Sequence, residues 1–119
     1  MSCMESKRVL VACSNLDFLL IRKILQKGFL LDHAANRNDI LQKKQNNKYD
    51  LLLVDVCFLK PEYDFVEQLQ ADQVNLVALS SEPGDVCDHK LKKSGCKACY
   101  IKPFRFNSFS LFVEYWCGQ

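Results

Sequence analysis

The chain has 119 residues, 49% of them hydrophobic, with Leu, Val, Ile and Phe spread along its length, which suits one domain with its own core and excludes a disordered chain. Its 16 basic and 14 acidic residues interleave to a formal charge of +2, so there is no electrostatic footprint for nucleic-acid binding. No apolar run approaches the roughly 20 residues of a membrane span.

The first seven residues are polar and lack the apolar core of a secretory signal. A continuous apolar run at 9–12 then reads as a strand buried on both faces. Leu16, Leu20, Ile24 and Lys27 repeat at helical spacing, with Asn15 as N-cap and Gly28 as the stop. Residues 30–35, interrupted by Asp32 and His33, suit an edge strand, with His33 at the surface. Residues 39–46 make a short polar helix, and 51–54 a second run of the buried-strand kind. Phe65, Val66 and Leu69 mark another helix, and 76–79 another strand. A short helix at 85–93 is stopped by Ser94 and Gly95, and the last strand falls at 98–101. Phe109, Phe112, Val113 and Trp116 define the clearest helix, capped by Asn107 or Ser108. Two lysine clusters, Lys43, Lys44 and Lys48 and then Lys90, Lys92 and Lys93, fit solvated helix faces.

This alternation predicts a doubly wound α/β fold: five parallel strands in order 2-1-3-4-5, flavodoxin-like, with helices on both faces. There is no linker, repeat or low-complexity segment. Residues 1–119 are expected to form a single domain, free-standing or excised from a longer protein. The seven cysteines are odd in number, and several sit inside strand patterns as small buried hydrophobes. They read as reduced thiols, which predicts a cytoplasmic location.

In open parallel sheets, ligands bind outside the carboxyl ends of the strands. Those ends carry Cys13, Ser14 and Asn15; then Asp55, Val56 and Cys57; then Ser80 and Ser81; then Lys102, Pro103 and Phe104. A carboxylate, a hydroxyl and an ammonium would converge on one crevice. A carboxylate can attack a phosphoryl group to give an acyl phosphate. The phosphoryl oxygens then need a fixed cation such as Lys102, a hydroxyl such as Ser80, and normally Mg²⁺ held by further carboxylates. No glycine-rich phosphate loop follows the first strand, which argues against a nucleotide enzyme.

On these residues the sequence resembles a receiver domain of bacterial two-component signalling. The matching stretches are 7–11, 49–55, 77–80 and 95–104, and the likeness spans nearly the whole chain. The resemblance implies Asp55 as phospho-acceptor, Ser80 as switch hydroxyl and Lys102 as phosphate contact, in a signalling domain that is not an enzyme. It also implies a metal site made by Asp55 and the backbone carbonyl of Cys57. The acidic pair usual after the first strand reads Cys13 and Ser14, so Mg²⁺ binding is expected to be weak or absent. Asp17 is the nearest other carboxylate, and its place in a helical first turn weighs against its lending one. The aromatic usual three residues before the lysine reads Cys99, with Tyr100 one place later.

Blander roles stand beside these. Asp55 would otherwise cap a turn, and Lys102 would only neutralise it. Cys96 and Cys99 form a CxxC with Cys87 and His89 upstream, chemically able to hold zinc, but no second pair matches it. The aromatic stripe of the last helix is packing, whereas Leu111 and Tyr115 are candidates for a partner surface. Two functions are therefore carried forward. In the first, Asp55 accepts a phosphoryl group from a histidine kinase or phosphotransfer protein. The fourth helix, fifth strand and fifth helix then repack to change a homodimer or output-domain contact. In the second, the domain is a pseudo-receiver that binds proteins without phosphorylation, and the missing acidic pair favours it. Neither uses nucleic acid or a membrane.

Overall fold

The computed structural model describes residues 7–25, 28–56, 75–80 and 96–118. Its elements run β1 (Lys7–Ala12), α1 (Asn15–Ile24), β2 (Phe29–Ala34), α2 (Arg37–Asn46), β3 (Leu51–Asp55), β4 (Leu76–Ser80), β5 (Ala98–Ile101) and α3 (Phe106–Cys117). The five strands pair in the order β2-β1-β3-β4-β5, all parallel, with Val11 opposite both His33 and Leu53, and Asp55 opposite Leu79. This is the expected doubly wound sheet, with β2 at one edge. The expected helices around Phe65 and at 85–93 lie outside the described residues, as do Cys57, Cys87 and His89. None of the described helices is long and apolar enough to cross a membrane.

The continuous apolar runs are explained by burial on two sides. Val9, Val11, Leu51, Leu53, Val77 and Leu79 face α1 and α3, meeting Ile21, Ile24, Leu25, Phe109 and Val113. Leu10, Ala12, Leu52, Val54, Leu76 and Ala78 face the other way, towards Ile40 of α2. Successive strand residues alternate between the faces, so both parities must be apolar in the central strands. The edge strand β2 is only partly covered, which is why it tolerates Asp32 and His33.

Four local expectations change. The N-cap of α1 is Ser14 rather than Asn15: its hydroxyl accepts from the Asp17 amide at 3.2 Å. That helix closes at Leu25, and Gly28 lies beyond it at φ 85, a backbone conformation that glycine adopts without strain. Leu16 and Leu20 do sit on a helix but point outward, 80% and 44% exposed, and the inner face is Ile21, Ile24 and Leu25. The last helix starts earlier than its cap signals suggest, after Arg105, which makes no side-chain cap bond. Ser108 is instead paired with the Tyr100 hydroxyl at 2.9 Å. Phe109 and Val113 are buried as expected, and Leu111 and Tyr115 are exposed.

Candidate functional site

The site is built where β1, β3 and β5 end on the face covered by α1. Asp55 continues the row of Leu51 and Leu53 on that face and is 1% exposed. Lys102 directly follows β5, and its backbone amide donates to the Ser80 carbonyl at 2.8 Å, which extends the β4–β5 ladder by one step. Two residues on, Phe104 packs on Phe109 with ring centroids 4.8 Å apart, and Tyr100 meets Phe109 at 4.9 Å. This aromatic cluster fixes the chain on either side of the lysine.

From that anchor the Lys102 ammonium donates to Asp55 Oδ2 at 2.5 Å and to Asp17 Oδ2 at 2.7 Å. The lysine keeps about a fifth of its side-chain surface, and Asp17 about a quarter. Burial alone would depress the lysine pKa, but the hydrogen bonds and charges of Asp17 and Asp55 outweigh it and hold the pKa above the usual lysine value. Asp55 is thus ion-paired inside the fold, and the pair is a trio. Asp17, set aside in the sequence because of its helical position, is a full member.

The sequence carried the local placement of Asp17, though not its partner. Ser14 to Asp17 has the spacing of a capping box, in which the acidic residue lies in the first turn near the preceding strand end. With Ser14 as the cap, that turn sits directly over the end of β1. Its carboxylate then reaches a partner 85 residues away.

Cys13 and Ser14 occupy the expected acidic positions with different chemistry. Burial pushes the Cys13 thiol up to about 12, with the Asp17 and Asp55 charges adding to it and Lys102 opposing. The thiol is therefore protonated and donates to the Ser14 carbonyl at 3.3 Å. The Ser14 hydroxyl is taken by the helix cap. His33 is half-buried rather than a bare surface residue. It stacks on Phe18 at 4.5 Å, and its Nε2 lies 2.7 Å from the Cys13 carbonyl, so that nitrogen carries the proton and donates. It braces the first strand end from the sheet edge, a contact that only the β1–β2 register reveals.

A hard divalent cation wants several oxygen ligands, most of them charged. Among the described residues the near carboxylates are Asp17 and Asp55, both bonded to Lys102, flanked by a neutral thiol and a committed hydroxyl. That set fits Mg²⁺ poorly. Among the described residues there is no group of three or more His, Cys, Asp or Glu arranged to hold a metal ion. The Cys57 carbonyl lies outside them.

Ser80 is fully buried at the end of β4, beside the strand of Asp55. The alternation of β4 puts it in the row of Leu76 and Ala78, on the α2 face, whereas Asp55 shares the α1 face with Leu79. Tyr100 packs inward against α3, while Cys99 belongs to the α2 face, so the aromatic of β5 does not occupy the expected position. Cys13 and Cys117 are buried free thiols, and Cys96 is buried as well.

No family model matches the chain, and no curated protein does either. Solved structures match throughout. A response regulator from Thermotoga maritima is 22% identical with a TM-score of 0.89, over 97% of this chain and all of that one. The receiver domain of Francisella response regulator 1452 is 20% identical with a TM-score of 0.79, over 94% of this chain and 97% of its own. The receiver domain of a Pseudomonas aeruginosa sensor histidine kinase, with magnesium coordinated in its active-site cleft, is 17% identical with a TM-score of 0.82, over 97% of this chain and all of that one. The fold of this chain is that of response-regulator receiver domains.

Proposed function

We propose that the chain is a signalling receiver that accepts a phosphoryl group on Asp55 from a histidine kinase or phosphotransfer protein. The supporting observation is the Lys102–Asp55 bond at the strand ends of a receiver fold, which pairs a buried carboxylate nucleophile with a fixed cation. In the step itself, an Asp55 carboxylate oxygen attacks phosphorus and the P–N bond to the donor imidazole breaks. The ring nitrogen keeps the electron pair and takes up a proton, and an acyl phosphate remains on Asp55. Lys102 would neutralise charge gathering on the phosphoryl oxygens, and Ser80 would turn to bond one of them. The chain is then a relay component of the cytoplasm without turnover of its own. Its output contact would run through the surface beside β5 and α3, where Leu111 and Tyr115 are exposed.

The test is incubation with acetyl phosphate and Mg²⁺ followed by intact-mass measurement. The native chain should gain one phosphoryl group and Asp55→Asn none. A phosphorylated Asp55→Asn protein would remove Asp55 as acceptor. A second reading, the phosphorylation-independent pseudo-receiver, draws support from the protonated Cys13 thiol and the capping role of Ser14. Absence of any mass gain in the native chain would favour it.

A further inference from the structure

We propose that Asp17 is a positioning residue that brakes phosphoryl transfer to Asp55 by holding part of the Lys102 ammonium for itself. The inference rests on Asp55 being the acceptor, and it assigns a regulatory role to a carboxylate beside that acceptor. An ammonium has three N–H donors. In this site one goes to Asp17 and one to Asp55, so a single donor remains for an arriving phosphoryl oxygen. Two carboxylates against one ammonium also leave the trio net negative before any phosphoryl group approaches. The incoming anion is repelled by Asp17 and must compete with it for the lysine.

The geometry that holds Asp17 is local and firm. Its backbone amide is bonded to the Ser14 hydroxyl at 3.2 Å, in the first turn of a helix whose inner face is locked by Ile21 and Ile24. Its carboxylate retains contact with solvent, so its charge is open to screening by salt, whereas Asp55 is sealed. An asparagine at this position keeps an oxygen that can accept from Lys102 and removes only the charge.

With acetyl phosphate as donor, an Asp55 oxygen attacks phosphorus, the P–O bond to the acetyl group breaks, and acetate leaves with the electron pair. The experiment follows this mass gain over time in the native chain, Asp17→Asn, Asp17→Glu and Asp17→Ser, at low and high salt, with and without Mg²⁺, alongside urea midpoints. Both uncharged variants should gain phosphate about fivefold faster than the native chain at low salt, from the loss of one nearby unit charge. Glutamate should restore the slow rate, and high salt should shrink the difference. Gain by Asp17→Asn where the native chain stays silent would also support the brake. Uncharged variants no faster than a reactive native chain would overturn the brake and leave Asp55 as acceptor. Slower gain confined to Mg²⁺ would make Asp17 a ligand of the cation, and an advantage indifferent to salt would make it a packing effect; either overturns the proposal. If every variant and the native chain stay silent, the acceptor role fails and the brake with it.

Discussion

Two ion-paired clusters lie towards opposite ends of the same sheet, and they solve different problems. Towards the amino-terminal end, Arg8 Nε and Nη2 donate to Asp32 Oδ2 at 3.2 and 3.1 Å, and the Tyr49 hydroxyl donates to the same oxygen at 2.7 Å. The guanidinium lies over the Tyr49 ring, 5.4 Å from its centroid. Burial works against the Asp32 charge, but the bonds from Tyr49 and Arg8 win and hold its pKa below the usual aspartate value. Tyr49 is correspondingly pushed up to about 12 by burial and by its bond to Asp32. One cation meets one carboxylate there, and both keep about a third of their surface. At the carboxyl end, among the described residues, one ammonium serves two carboxylates, one of them sealed from water. A matched pair completes a fold, whereas a mismatched one leaves room for another charged group to change the balance.

The largest expected effect is at Lys102. Lys102→Ala leaves the Asp55 carboxylate buried without its cation, and urea unfolding should show a loss of about 3–5 kcal/mol. A loss under about 1 kcal/mol would mean that the site is no more demanding than a surface pair, and the contrast would collapse. Next comes the metal. Replacing Cys13 and Ser14 together with Asp should tighten Mg²⁺ binding by calorimetry on the order of tenfold, because two charged oxygen ligands are added. A native chain that already binds as tightly as the double variant would contradict the assignment of these two positions.

A smaller cost is expected at the other end. Arg8→Ala should lose about 1 kcal/mol or less, shrinking further in salt, because both partners are partly solvated. A cost equal to that of Lys102→Ala would erase the distinction between the clusters. The smallest effects are in pH dependence, and they have opposite signs. The raised Lys102 pKa contributes stability that is fully present below the ordinary lysine value of 10.5 and is lost as pH rises through the higher folded value. The lowered Asp32 pKa contributes stability present above the ordinary 3.8 and lost as pH falls through the lower folded value. Urea midpoints of Lys102→Met and Asp32→Asn against the native chain, followed into alkali and acid respectively, check each sign.

The sequence by itself determined the sheet and two members of the trio. The continuous apolar runs that became β1, β3 and β4 are too short for buried helices and read as strands covered on both faces, and that pattern points to a parallel sheet with its ligand end at the strand carboxyl termini. Asp55 and Lys102 were legible because each ends or follows such a run, where a charged residue interrupts the apolar pattern abruptly. Tertiary structure decided what the patterns left open. Helix α1 carries apolar residues all around, so its periodicity fixes a helix but not its phase; the sheet selected Ile21, Ile24 and Leu25 and turned Leu16 and Leu20 to solvent. The start of α3 followed Phe104 and Phe109 packing rather than the Asn107 and Ser108 cap signals, because Ser108 was drawn into a bond with Tyr100. Asp17 joined the site for a reason that local sequence cannot encode: its partner is 85 residues away, and only the stacking of α1 over the ends of β3 and β5 brings a first-turn carboxylate to a lysine at the far edge of the chain.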